Sequence, residues 1–300
     1  MASPVYQRRS AALIILYFGK WPNWFNIFLQ SCEQNQTIQF IIFTDCSTPS
    51  QHPANTLFIP FTLENFNDLA TRKLSVEINI ERGYKICDLR PAFGIIFEDY
   101  LSRYVFWGHT DIDIIWGDVS QFITEDLLSK HDIITSRKNF ITGHFTLYRN
   151  TKTINELFLK SKDYKKVFTS ERSLCFDECN NLWWKLIAGH KFEELASEVE
   201  SMTHVVRKEA LNAHISVYWG DDIVLEQDQV DDKGRVKPFA NPVIYYKGKI
   251  FGGSENIEFM YFHFHFLKKH PELVVPDWKT LPPIFCAKSN GFFEIIEIES

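Results

Sequence analysis

Two carboxylates, Asp111 and Asp113, stand two residues apart among the apolar residues Trp107, Ile114, Ile115 and Trp116. Side chains alternate faces in extended chain, so the pair is expected to point the same way, with Ile112 turned to the core. Like charges on one face repel unless something positive sits between them. A divalent cation answers that need, and hard oxygen ligands suit Mg²⁺ or Mn²⁺. A D-x-D triplet alone is common at solvated loop ends. The apolar flanks set this one apart, because charges among such neighbours need partners. Further along, His263 and His265 alternate with large apolar residues and are followed by Lys268 and Lys269. Two imidazoles and an ammonium can offer a metal ligand and a phosphate contact together. A surface strand edge with snorkelling lysines reads the same way. The adjacent acids Asp177 and Glu178 can serve as a general base. Their plain alternative is a charge pair at a helix N-terminus.

The elements that must position these residues read as an α/β chain. Residues 11–18 form a continuous apolar run, as expected of a central parallel strand covered on both faces. A turn at 19–22 leads to helical spacing over 23–34 and a second apolar strand at 38–43, which ends in Thr44 and Asp45. Such a β-α-β opening is the usual start of a nucleotide-binding sheet. The glycine-rich dinucleotide fingerprint is missing, with only Gly19 at the first turn. A short strand is expected at 57–60 and a helix over 63–75. A second helix should run from about 85 to 103, with Pro91 in its first turn, and deliver the chain into a strand that carries the D-x-D triplet. Next come a helix over 119–129, strands at 132–135 and 144–149, and a helix capped by Asn150 and Thr151 that runs to about 161. Residues 191–208 are polar with mixed charge and read as a mobile or peripheral segment. Strands are expected at 214–219, 223–226, 243–246 and 249–251, the last two joined by a hairpin at Gly248. The run 259–270 alternates strictly and reads as one more strand.

Length and composition bound the answer. Three hundred residues allow one large α/β domain or two small ones. Aromatic residues make up 15% of the chain, enough for a sizeable core. The net charge of −6 argues against a nucleic-acid binder, which would carry a basic face. The six cysteines show no C-x-x-C pairing and point to a reducing compartment. Arg8 and Arg9 precede the first apolar run, but that run is short and is ended by Trp21 and Pro22, so it reads as a strand rather than a targeting segment. No run approaches the length that spans a membrane.

Several stretches together carry a family likeness: 16–22 (LYFGKWP), 43–45 (FTD), 85–94 (KICDLRPAFG), 106–113 (FWGHTDID), 143–150 (GHFTLYRN) and 265–269 (HFLKK). The chain resembles glycosyltransferases of the GT-A fold and looks most like the bacterial GT-A-like proteins grouped as DUF6625. The resemblance implies a single GT-A-like, Rossmann-like domain over 1–300: a mixed, mainly parallel central sheet flanked by helices, with a smaller C-terminal β-rich part. Residues 1–118 would be the nucleotide-binding half. Residues 119–300 would serve donor sugar and acceptor, with a C-terminal strand for metal and phosphate. The implied cofactor is Mn²⁺ or Mg²⁺, held by Asp111, Asp113 and His265, or His263 in its place. The doubled His-Phe leaves the third ligand open. Lys268 would contact phosphate, and Tyr17, Phe18, Asp45, Lys85, Asp88 and Arg90 would line the nucleotide pocket. His144, Asp177 and Glu178 would face donor sugar or acceptor, with Asp177 or Glu178 as catalytic base. Asp45 read plainly is a strand end, Asp88 a helix cap and His144 a core histidine.

The expected activity is metal-dependent transfer of a sugar from a nucleotide-sugar donor to a glycan or lipid-linked acceptor, in cell-surface polysaccharide or lipopolysaccharide synthesis. Such a protein would work in the cytoplasm or at the inner face of the membrane, with at most peripheral membrane contact. One alternative is a metal-dependent hydrolase of a phosphoester or nucleotide-sugar, which usually clusters more carboxylates at its metal. Another is a non-catalytic nucleotide- or glycan-binding module of the same fold.

Overall fold

The structure is a computed structural model that describes residues 10–220, 223–226, 241–252 and 257–296. Its largest sheet has seven strands among the described residues, in the order β3-β2-β1-β4-β7-β6-β8. They are β1 (Ala11–Tyr17), β2 (Ile38–Thr44), β3 (Thr56–Pro60), β4 (Phe106–Thr110), β6 (Ile133–Thr135), β7 (Phe145–Arg149) and β8 (Val217–Trp219). Pairing is parallel from β3 through β2 and β1 to β4, antiparallel on either side of β7, and parallel again between β6 and β8. The sheet is therefore mostly parallel. From β1 the chain winds to one side through β2 and β3, then returns to place β4 on the other. That reversal opens a crevice at the carboxyl ends of β1 and β4.

Both faces of this sheet are covered, as the continuous apolar runs require. Leu13 and Ile15 of β1 and Phe40 and Ile42 of β2 face one core, with the helix Phe25–Ser31. Ala12 and Ile14, with Ile41 and Phe43, face the other. The helix Leu63–Leu74 lies on that second side, started by a capping box between Thr62 and Asn65. A second, antiparallel sheet is C-terminal, in the order β12-β11-β10-β14-β15. Its members are β10 (Val243–Tyr246), β11 (Lys249–Gly252), β12 (Ile257–Phe259), β14 (Ile284–Lys288) and β15 (Gly291–Glu294). Gly248, at φ +90°, turns the β10–β11 hairpin. A small third sheet joins β5 (Ile114–Trp116), β13 (Tyr261–His263) and β9 (Val224–Glu226).

Four expectations are corrected. The helix expected over 85–103 is a 3₁₀ segment, Gly83–Ala92, followed by the short turns Phe93–Ile96 and Glu98–Leu101. Pro91 lies inside it and cannot donate a backbone bond, so no continuous helix forms. Asp111, Ile112 and Asp113 do not continue β4; they form a bend where the chain leaves the large sheet for the small one. The run 259–270 is likewise divided: β12 and β13 belong to different sheets, and Leu267–Lys269 is a 3₁₀ turn. Residues 191–208 are no loose segment throughout, because Met202–Leu211 is a helix that buries Met202, Val205 and Val206. Those three sit at helical spacing, and the polar and charged residues around them mask the pattern.

Candidate functional site

A cavity of about 600 Å³ opens at the carboxyl ends of β1 and β4. Tyr17 and Phe18 line it at the end of β1, and Asp111 and Asp113 line it after β4. His263 enters from the end of β13, and His265 and Lys268 from the segment that follows it. Bending the chain at 111–113, rather than extending it, brings both carboxylates toward one imidazole. His263 Nε2 lies 3.4 Å from Asp113 Oδ2 and 3.9 Å from Asp111 Oδ2. His265 Nδ1 is 3.7 Å from the same Asp113 oxygen, and Lys268 Nζ is 2.6 Å from it.

Asp113 and His263 are only 2% and 6% exposed. Even so, Asp113 Oδ2 and His263 Nε2 have no hydrogen-bond partner of acceptable geometry among the described residues. The Lys268 contact is thus a short ion pair rather than a directed hydrogen bond. Buried polar atoms left in this state have capacity for a further partner, such as a water or an ion. Asp113, His263 and His265 place one donor atom each within 4.8 Å of one another, a set that fits a divalent cation. His144, Glu226 and His263 form a second such set. In that one, His263 Nδ1 is already bonded to Glu226 Oε1 at 2.5 Å, and Glu226 also pairs with Arg137. The first set therefore fits better.

The electrostatics follow from burial and charge. Burial alone would raise the Asp113 carboxyl, but His263, His265 and Lys268 hold it well below the usual range. Burial works against a charged His263 ring, yet Asp113 and Glu226 push it up to about 10. His144 also lines the cavity, with Nδ1 2.7 Å from Tyr261 Oη; burial pushes it down to about 3, so its ring is neutral.

Arg90 ties this corner to the opposite wall. Its guanidinium pairs with Asp111, donates to the Gly143 carbonyl at 2.7 Å, and reaches Asp177 Oδ2 at 3.2 Å. Gly143 in turn donates its N–H to Glu178 Oε1 at 2.7 Å. A Cβ on Gly143 would lie 2.6 Å from Asp177 Oδ2 and 2.8 Å from Glu178 Oε1, so any larger residue would push the two carboxylates from these positions. Burial raises both acids, Asp177 well above the normal range and Glu178 to about 7. They stand in a turn, not at the start of a helix.

Lys85 and Asp88 do not reach the cavity, although they were expected to line it. Lys85 donates to the carbonyls of Val167 and Arg172, and Asp88 accepts the N–H groups of Leu174 and Phe176. The pair thereby shapes the segment that leads into Asp177 and Glu178. Asp45 is exposed and accepts the Gly19 N–H at 2.7 Å, outside the cavity lining. Three contributors escaped the sequence reading: Glu226, Arg137 and Tyr261. Glu226 ends an expected strand much as Asp45 does, but nothing local links it to His263.

The family model described as a family of unknown function, DUF6625, matches residues 13–276. The chain belongs to that family. No curated protein matches it.

Proposed function

We propose that this DUF6625 protein is a metal-dependent glycosyltransferase of GT-A architecture, which moves a sugar from a nucleotide-sugar donor to a glycan or lipid-linked acceptor. The observation that carries the reading is the convergence of Asp111, Asp113, His263, His265 and Lys268 at the switch point of the sheet. Asp113, His263 and His265 would hold Mn²⁺ or Mg²⁺ beside Asp111; when bound, the cation would balance the charge of a diphosphate leaving group.

The protein's own groups supply the remaining parts. Lys268 adds a second positive charge on the diphosphate side. Tyr17 and Phe18, at the end of β1, border the donor. Arg90 keeps Asp111 and Asp177 in place. Glu178, pushed up to about 7 by burial, has the right basicity to take a proton from an acceptor hydroxyl near neutral pH. Aromatic groups around the opening, Tyr84, Trp183 and Phe266, offer faces to a sugar ring. No described helix is long and apolar enough to cross a membrane.

The test is a thermal-shift panel of nucleoside diphosphates and nucleotide-sugars with Mn²⁺, with Mg²⁺ and with EDTA. A ligand that binds only the folded state raises its apparent stability. Stabilisation by one nucleotide class, lost with EDTA and in Asp113→Asn, is the expected result. A well-folded protein that responds to no nucleotide would sink the reading.

A further inference from the structure

We infer that Glu226, anchored by Arg137, is a positioning residue that fixes which nitrogen His263 offers to a cation: Nδ1 is bonded to Glu226, and Nε2 is aimed between Asp111 and Asp113. The inference rests on reading that corner as a cation site.

The backbone makes the pairing. β9 and β13 are parallel neighbours, and Glu226 is the register partner of His263. Their side chains therefore leave the small sheet side by side. Glu226 Oε1 is 2.5 Å from His263 Nδ1, while its other oxygen pairs with the Arg137 guanidinium. A carboxylate held by arginine is ionised and can only accept, so Nδ1 carries the proton of that bond. A ligating imidazole nitrogen must be bare, and the bond made by the other nitrogen decides which one is. The His144 ring, 4.4 Å away centroid to centroid, packs against His263 and limits its rotation. Nε2 is thus the atom left for a ligand, and it has no hydrogen-bond partner among the described residues. A cation must displace the Nε2 proton of the charged ring, and Glu226 keeps the remaining proton on Nδ1; without Glu226 the ring that has lost one proton can keep the other on Nε2, donated to Asp113, which closes the ligand position.

Glu226→Gln gives a sharp test because it keeps the shape. Arg137 would claim the single amide oxygen, and the amide N–H₂ would face Nδ1 and favour the wrong tautomer. Mn²⁺ binding, followed by the loss of the free-ion EPR signal, should weaken about ten-fold or more in Glu226→Gln and Glu226→Ala. Ring ¹⁵N shifts should report His263 coordinating through Nε2 in the Zn²⁺-loaded wild type, and should lose that uniform coordination in Glu226→Gln at saturating Zn²⁺. Coordination through Nδ1 in the wild type would overturn the inference without any variant. So would unchanged Mn²⁺ affinity in Glu226→Gln, or Nε2 coordination retained there, which would leave Glu226 acting as charge alone. Asp113→Asn separates the two levels: if it loses Mn²⁺ and Glu226→Gln does not, the cation site stands and this inference falls. A wild type that binds neither Mn²⁺ nor Zn²⁺ would remove both.

Discussion

Lys85 Nζ lies 2.8 Å from Asp88 Oδ2, with the two residues 4% and 0% exposed, beneath the segment that carries Asp177 and Glu178. Their remaining hydrogen-bonding capacity goes to backbone groups of residues 167–176. A buried pair of this kind is costly to break from one side, since the other charge is left without compensation. Lys85→Met is expected to lower the unfolding free energy by about 3–5 kcal/mol. Urea denaturation followed by tryptophan fluorescence measures it. A loss below about 1 kcal/mol, the range of an exposed pair, would contradict the buried geometry.

Gly143→Ala should damage the acidic wall while leaving the cation corner alone. The added methyl group fits only if the two carboxylates move, and overpacking of this kind costs about 1–3 kcal/mol. Transfer activity should fall at least ten-fold, with Mn²⁺ affinity little changed. Parallel activity and metal titrations decide it; a variant with full activity would show that the carboxylates need no such approach.

Glu178 sets a pH dependence whose sign can be worked out. Its folded carboxyl is raised from 4.5 to about 7 by burial. The folded state therefore binds that proton more tightly than the unfolded state. The stabilisation is fully present below pH 4.5 and is lost as pH rises to about 7. Glu178→Gln, which cannot ionise, should be more stable than wild type above pH 7 by about 1–3 kcal/mol, and should be inactive. Thermal melts of both proteins at pH 5 and pH 8 test this: a stability gap that does not widen toward pH 8 would count against a buried, raised carboxyl.

The donor set also fixes an order among cations. Two imidazoles and one carboxylate favour Mn²⁺ over Mg²⁺, which prefers oxygen ligands and keeps its water. Isothermal titration should give an affinity for Mn²⁺ at least ten-fold above that for Mg²⁺. His263→Ala should narrow the gap. Equal affinities in the wild type would mean that the rings take no part.

The apolar runs of β1 and β2 were readable because a strand covered on both faces leaves a continuous hydrophobic signature. Asp111, Asp113, His263, His265 and Lys268 stood out by residue type and spacing, and the chain brings them around one cavity. Their local conformation was not readable. Alternation suggested extended strands, whereas chain transfer between sheets at 111–113 and at Met260 required bends. Glu226 stayed hidden because its meaning is a cross-strand partner, and pairing between distant strands leaves no local trace. Lys85 and Asp88 carry the right charges for a ligand pocket, and only burial shows that backbone carbonyls and amides are their partners.

The bend at Asp111 leads into β5, which meets the distant strand pair Glu226–His263 in one three-stranded sheet. Among the described strand pairs, β5 with β13 closes the longest loop, and loops of that length are slow to close. During synthesis the large sheet can assemble its first strands while the cation corner still lacks half of its donors. Capture of a divalent ion should therefore come late, after β13 has been made and docked, and should report completed folding rather than initiate it.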